Sequence, residues 1–412
     1  MRIQEHPLLG QGDRYIDKWE AFFAGLIEGG LSWAFDACGH HYLNLSAMVL
    51  NARECRAMEE AHGRVVVLYN EMLALVRKFP ELLCDLGIPE PLHRLCLRDD
   101  IAALTAYGRF DWMVGADGEP KLLEFNAETP GGILEATSAQ RLITCEYPGF
   151  LDPNADTASR VLDSLANSVT VQGGNSLSSP VAVIGFLDDP EERAILHYIA
   201  QAYGNSFVGD IRTLEVGPEG ATVGGRWAEL IYSHYSVEWM AKDRGGAAMM
   251  AALESGVVRL VNPPKTLIAH SKALPAVAWI ARDRLSAAAQ EAIDRHLPRT
   301  AFEREALMDS ITFEKPLHGR EGRGIRKLEP REPGSSGFGD VVYQEGVSVT
   351  ALEFPTVRNG RVVREPLFPT IGTFCIARQP GVMGEFGGYF TRLGPDVIGA
   401  ANVRWVPTLV EK

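Results

Sequence analysis

At 412 residues, with 46% hydrophobic and 23% charged positions, the chain has the composition of a folded protein of two or three packed units. A formal charge of −13 argues against a general polyanion binder, so no nucleic-acid partner is expected, though an acidic protein can still hold a local phosphate site. No apolar run is long enough to span a bilayer, and Met1 to Pro7 lacks the apolar stretch of a signal peptide, which predicts a cytoplasmic protein with no membrane partner. The cysteines at 38, 55, 84, 96, 145 and 375 form no C-x-x-C pair and are expected as buried thiols.

In chain order, residues 1–100 read as a helical section. Trp19, Phe22, Phe23, Leu26 and Ile27 are spaced for one apolar helix face, and Cys55 to Leu86 repeats the pattern. Residues 101–175 carry a hairpin and two helices, the first from Ile133 to Tyr147. A loop at 172–180, rich in Gly and Ser, reads as a linker. Residues 181–261 open with the apolar run Val181 to Phe186 and a helix from Glu191 to Tyr203, a βα pattern of α/β type. Residues 262–412 mix helices, at 272–281 and 287–296, with short strands around 313–315, 341–344 and 372–378. Residues 333–339 read as a surface loop. The fold class expected is α+β.

Two segments carry chemistry. Tyr107 to Val114 and Lys121 to Asn126 alternate polar with large apolar residues, and Gly115-Ala116-Asp117-Gly118-Glu119 between them has hairpin-turn composition. A turn centred on Asp117-Gly118 sets position 111 opposite 124 and 109 opposite 126, placing Arg109, Asp111, Glu124 and Asn126 on one face. Facing carboxylates repel unless a cation separates them, and Asp, Glu and Asn oxygens suit Mg²⁺ or Mn²⁺. Taken alone, the hairpin is equally compatible with a wet polar face. The second segment, Phe313 to Ile325, runs from a strand into a glycine-rich basic loop through Lys315, Gly319, Arg320, Glu321 and Gly322. Its main-chain N–H groups could surround an anion, and a tight basic surface turn is the plain alternative. Walker and Rossmann spacings are absent. Val341 to Gly346 is a short strand with polar residues at its end, Gln344 and Glu345. Lys272 stands at the start of an apolar helix, where the dipole disfavours it.

Together these segments resemble the glutathionylspermidine synthase family of ATP-grasp carbon–nitrogen ligases. Arg109-Phe110-Asp111 resembles the family's Arg-Phe-Asp strand, and Glu124 to Pro130 is similar to its Glu-x-Asn-Ala-Asp-Thr-Pro segment. His234 to Met240 looks like its Tyr-Pro-Trp-Glu-Trp-Met region, Ser271-Lys272 like its Asn-Lys pair, and Lys315 to Gly322 like its Lys-Pro-x-x-Gly-Arg-Glu-Gly loop. The resemblance implies an ATP-grasp fold with residues 262–412 as the nucleotide-binding lobe. It also implies that Asp111, Glu124 and Asn126 hold two Mg²⁺ ions, with Mn²⁺ a possible substitute. Lys272, Lys315, Gly319, Arg320, Glu321, Gly322, Gln344 and Glu345 would bind ATP, and Arg109 would act on the transferring phosphoryl group. The implied reaction joins a small-molecule carboxylate, as its acyl phosphate, to an amine.

The chain departs from the family in three places. Glu128 replaces an Asp, Gly384-Glu385-Phe386-Gly387-Gly388 lacks the arginine of a Gly-x-x-Arg-Glu-Asp element, and Trp405-Val406-Pro407-Thr408 replaces Phe-Val-Pro-His. The amidase domain fused to some relatives has no counterpart. A stand-alone ligase with altered substrates is therefore expected, drawn from amino acids, peptides or polyamines. The alternatives are a small-molecule phosphotransferase and a non-catalytic nucleotide-binding protein. Asp111→Asn or Glu124→Gln is expected to abolish turnover with little loss of fold, and the oligomeric state is not legible.

Overall fold

A six-stranded antiparallel sheet carries the hairpin. Tyr107–Val114 pairs with Pro120–Asn126 on one side and with the long strand Arg361–Ile376 on the other, and Glu385–Gly394 and Arg404–Val406 extend the sheet. Leu352–Arg358 pairs with the outer half of the long strand. The structure, a computed structural model, describes all residues except 36–40, 99–102, 321, 336–339, 359–360, 380–383 and 398–401. Cys38, Glu321 and most of the expected loop at 333–339 thus lie outside the described residues.

The apolar face of the hairpin is covered by the 27-residue helix Ala52–Lys78. That helix starts at a reciprocal capping box between Asn51 and Glu54, contains no proline, and ends on Arg77 and Lys78, which suit the dipole. Its inner stripe includes His62, Val65, Tyr69 and Leu73. Phe110 and Phe125, cross-strand partners, stack at 3.9 Å, and Tyr69 meets each edge-on at 5.6 Å. Such aromatic pairs add to the area they bury. Thr373 accepts from Trp112 Nε1 at 2.8 Å and lies 2.9 Å from His62 Nδ1, tying helix, hairpin and long strand together.

A second antiparallel sheet orders Thr300–Ala301, Val341–Glu345, Thr312–Pro316 and Arg326–Leu328, with the glycine-rich loop joining the last two strands. A four-stranded parallel sheet, Arg259–Val261, Leu230–Ser233, Val181–Gly185 and Ser206–Asp210, has the helix Pro190–Ala200 as a crossover. Near the termini, Arg2–Gln4, Ala47–Leu50, Thr408–Glu411 and Phe150–Leu151 form one more sheet. The architecture is α+β with a helical N-terminal region, consistent with an ATP-grasp-like fold.

Several local expectations change. Ala47–Leu50 is a strand inside the section read as helical. All four residues are buried, so no alternation marks it, and its parallel partner is the distant Thr408–Glu411. The helix expected from Ile133 does start there, but it passes through a π-helix, Glu135–Ala139, before Gln140–Thr144. The helix expected from Lys272 starts at Leu274 with a proline in its first turn, leaving Lys272 outside it. Cys55, Cys96 and Cys375 are buried thiols as expected, whereas Cys84 and Cys145 are exposed.

Candidate active site

The hairpin pairs Asp111 with Glu124 and Arg109 with Asn126 as expected, but beside the turn the register is one residue off, with Val114 on Pro120 and Trp112 on Leu122. Gly118, at φ 80°, takes the left-handed position of that turn. A bulge at Leu123 follows the Asp111–Glu124 pair, which is why Leu122 enters the apolar core while Glu124, only two residues on, faces the polar side. The Leu123 carbonyl accepts a bond from Lys315 Nζ at 3.2 Å.

Asp111, 1% exposed, is held by two guanidinium groups. Arg109 donates to both carboxylate oxygens at 2.6 and 2.8 Å, and Arg392 Nη2 to Oδ2 at 2.8 Å. Both guanidiniums also lie over the Phe390 ring. Arg109 Nη1 reaches the Gly131 carbonyl at 2.6 Å, fixing the chain just beyond Pro130. Asn126 Nδ2 bridges the acids, donating to Asp111 at 3.1 Å and Glu124 at 3.4 Å.

Glu124 lies 3.0 Å from Lys272 Nζ, and the same ammonium donates to the Gly319 carbonyl at 2.6 Å, so one lysine joins hairpin and glycine-rich loop. The Lys272 main chain is itself pinned, its N–H to the Leu317 carbonyl at 2.9 Å. Lys315 Nζ donates to Gln344 Oε1 at 2.6 Å. Burial works to raise the Glu124 pKa, but Lys272 and then Lys315 prevail and hold it well below the usual carboxylate range. Burial, helped by the neighbouring Lys272, pushes Lys315 down to about 8 against the pull of Glu124.

The loop itself turns at Gly322 and Gly324, with φ of 68° and 76°. Its Arg320 reaches a second acid pair, 2.8 Å from Glu238 and 3.3 Å from Glu128, with the guanidinium over the Trp239 ring. The Ser236 hydroxyl lies between the two carboxylates, and the Val237 N–H donates to Glu128 at 3.0 Å. Burial and the facing Glu238 push Glu128 up to about 7, with Arg320 opposing. Burial works to raise Glu238 as well, yet Arg320 outweighs it and holds that carboxyl low. Asn262 anchors the segment, donating to the carbonyls of Tyr107, Ala127 and Glu128.

The structure therefore gathers Arg109, Asp111, Glu124, Asn126, Lys272, Lys315, Gly319, Arg320 and Gln344 into one polar cleft-like site between hairpin and loop, joined by the contacts just given. Glu345 goes elsewhere: next to Gln344 on its strand, it points to the opposite face, where Ser310 donates to it at 3.0 Å. Sequence reasoning missed Arg392, Glu238, Ser236 and Asn262. Arg392 lies only four residues beyond the 384–388 stretch that lacks an arginine, and its signal was a lone charge in the apolar run Tyr389-Phe390-Thr391-Arg392-Leu393. Among the described residues here, Arg109, Lys272, Lys315, Arg320 and Arg392 face the four carboxylates of Asp111, Glu124, Glu128 and Glu238, a local excess of cations on a chain of charge −13 that suits a polyanion.

The donor set also fits a hard divalent cation. Among the described residues no three His, Cys, Asp or Glu side chains cluster for a metal, so the third ligand would be the Asn126 amide. Its NH₂ now bonds to both carboxylates, and turning the amide over would present its oxygen instead. Glu124, with 26% of its side chain exposed, is the reachable acid.

A paired-carboxylate hairpin under a glycine-rich basic loop, on an ATP-grasp-like α+β fold, defines the class of ATP-grasp-related ligases. A family model described as glutathionylspermidine synthase preATP-grasp matches residues 17–385, and the chain belongs to that family. Among solved structures it is similar to a glutathione synthetase-like effector from Globodera pallida in its apo form, at 12% identity and a TM-score of 0.62 over 97% of each chain. That likeness bears on the fold. No curated protein matches the chain.

Proposed function

We propose that the protein is an ATP- and Mg²⁺-dependent amide ligase that activates a substrate carboxylate as an acyl phosphate and couples it to an amine. Lys272 supports this most directly, because it links Glu124 of the hairpin to Gly319 of the loop and so puts acid and anion-binding backbone at one point. In this reading Asp111, Glu124 and Asn126 hold two Mg²⁺ ions, with Mn²⁺ a possible substitute, which would neutralise the triphosphate when bound. Arg109, Arg392 and Lys272, now bonded to the acids, transfer their hydrogen bonds to phosphate and substrate oxygens. Lys315, Gln344 and the main chain of Glu345 serve the nucleotide, and the loop of Gly319, Arg320, Glu321 and Gly322 covers its phosphates.

A substrate carboxylate oxygen attacks the γ-phosphorus as the bond to ADP breaks. The amine nitrogen then attacks the acyl carbon, the carbon–oxygen bond to phosphate breaks, and Arg109 stands beside the oxyanion. The Glu128–Glu238 pair gives the cleft an acidic side suited to an amine, and Glu128, with its pKa near 7, can accept the proton the nitrogen sheds. Amino acids, peptides and polyamines are the substrate classes, in the cytoplasm. The test is a paired screen of acids and amines with Mg-ATP, using ¹⁸O-carboxylate. ADP should form only when both partners are present, with one label per turnover in the released phosphate. Release of unlabelled phosphate would eliminate the acyl-phosphate route.

A further inference from the structure

Arg320 belongs to the glycine-rich loop, yet its guanidinium is spent on acids from two other elements. It donates to Glu128, just beyond the hairpin, at 3.3 Å and to Glu238, in the first turn of the helix Val237–Lys242, at 2.8 Å, and it lies 4.6 Å from the centre of the Trp239 ring. Building on the ligase reading above, we propose that Arg320 is an internal cation that fills the acceptor subsite until ATP draws it onto the phosphates, so that loading the nucleotide opens the subsite to the amine.

The nest that holds the guanidinium has the chemistry of an organic-cation site, two carboxylates and an indole face. It is held together without Arg320. The Val237 N–H donates to Glu128 at 3.0 Å, the Ser236 hydroxyl bonds to both carboxylates, and Asn262 fixes the Glu128 carbonyl at 2.8 Å. Tyr235 packs beside Trp239, with ring centroids 5.2 Å apart, and Trp239 is 41% exposed, which leaves a way in from solvent. Departure of the guanidinium does not strand two bare charges. Burial and the facing Glu238 already raise Glu128 to about 7, and losing Arg320 raises it further, so the emptied pair keeps one proton.

The loop is built for such an exchange. Up to Gly319 it is fastened: Lys272 gives its main-chain N–H to the Leu317 carbonyl and its ammonium to the Gly319 carbonyl, and His318 Nε2 lies 3.1 and 3.2 Å from the carbonyls of Leu86 and Gly87. Further along, main-chain bonds close within the loop, from the Arg323 N–H to the Arg320 carbonyl and from the Ile325 N–H to the Gly322 carbonyl. The Arg320 side chain therefore ties this outer part to the acids by bonds that phosphate oxygens can replace. The same donors cannot serve phosphates and both acids, and the same acids cannot hold Arg320 and an acceptor cation. Nucleotide and amine are thus coupled through one side chain.

The experiment follows binding of Mg-AMP-PNP, a non-hydrolysed ATP analogue, to the full chain by calorimetry. Glu238→Gln loosens the grip on Arg320 and should tighten the nucleotide about threefold to tenfold, whereas in an Arg320→Met background the same change should act within about twofold. Equal tightening in both backgrounds would be plain relief of repulsion and overturns the proposal, as does no tightening in the parent background. A second reading stands if Glu238→Gln does not fold. With 5-fluorotryptophan incorporated and the Trp239 resonance assigned through Trp239→Phe, saturating Mg-AMP-PNP should move that resonance toward its position in Arg320→Met. Agmatine, an amine that carries a guanidinium, should shift it in Arg320→Met without nucleotide and in the parent only with nucleotide. A resonance unmoved by bound nucleotide, an agmatine shift in the parent without nucleotide, or none in the variant overturns the proposal and leaves the ligase reading standing. Failure of the parent to bind the nucleotide at all removes both.

Discussion

Two acid pairs border the same cleft, and they differ in how many cations they have. Asp111 and Glu124 are matched by Arg109, Arg392 and Lys272, and Glu124 is held well below the usual carboxylate range in spite of burial. Glu128 and Glu238 share a single Arg320 and one Ser236 hydroxyl, and Glu128 rises to about 7. Burial is common to both pairs, so the supply of positive charge decides which acid keeps its proton. Glu124 is a fixed negative charge on the hairpin, and Glu128 can exchange a proton near neutral pH.

The largest effect should come from breaking the fixed pair. Glu124→Gln and Asp111→Asn should each lower kcat on the order of 10³-fold, measured as ADP release. Their stabilities should differ, although the sequence alone led to an expectation of little loss of fold in either. Asp111→Asn strands two guanidiniums against a neutral amide at a 1% exposed position and should cost about 3–5 kcal/mol in urea unfolding. In Glu124→Gln, Lys272 keeps its bond to Gly319, and the altered side chain is partly exposed, so the unfolding midpoint should stay near that of the parent. Equal midpoints for the two variants would show that the arginines do not depend on Asp111.

This division could not be read from residue order. The hairpin and the facing pairs of its polar side were legible, because alternation and an Asp-Gly turn are local signals, whereas the bulge at Leu123 that completes that pairing was not. The lysine and the glycine-rich loop were legible as motifs. Arg392, Glu238 and Asn262 were not, because each acts through a partner more than eighty residues away: Asp111, Arg320 on the loop itself, and the carbonyls at 127 and 128. The strand Ala47–Leu50 escaped for a related reason, since burial on both faces erases the period that would have marked it.

A middle-sized effect should appear at Lys315, the cation poised closest to losing its charge. With its pKa near 8 it carries a full charge at pH 7 and little at pH 9. kcat/KM for ATP, which reports the free enzyme, should therefore fall above pH 8 by up to about tenfold per unit. Lys315→Arg keeps the charge across that range, so its profile should lose the limb, whatever its absolute rate. An unchanged limb in the variant would assign the titration to another group and leave Lys315 as a packing residue.

The smallest effect is also the most direct test of the contrast. Relative to its ordinary value of 4.5, Glu128 is raised to about 7 in the folded chain. Between these values the unfolded chain has given up the proton and the folded one has not, so stability falls as pH rises from 4.5 to 7 and is level above. Glu124 is shifted the opposite way, so its stabilising contribution is complete above 4.5 and is lost only at lower pH. Glu192 is raised to about 7 as well, so it is the difference between parent and variant that isolates Glu128. Glu128→Gln keeps an acceptor for the Val237 N–H and removes the titration. Its Tm minus that of the parent should climb across the window by about 2–4 °C, in proportion to the lost penalty. A flat difference would mean that Arg320 alone keeps both acids ionised, and the two pairs would then be electrostatically alike.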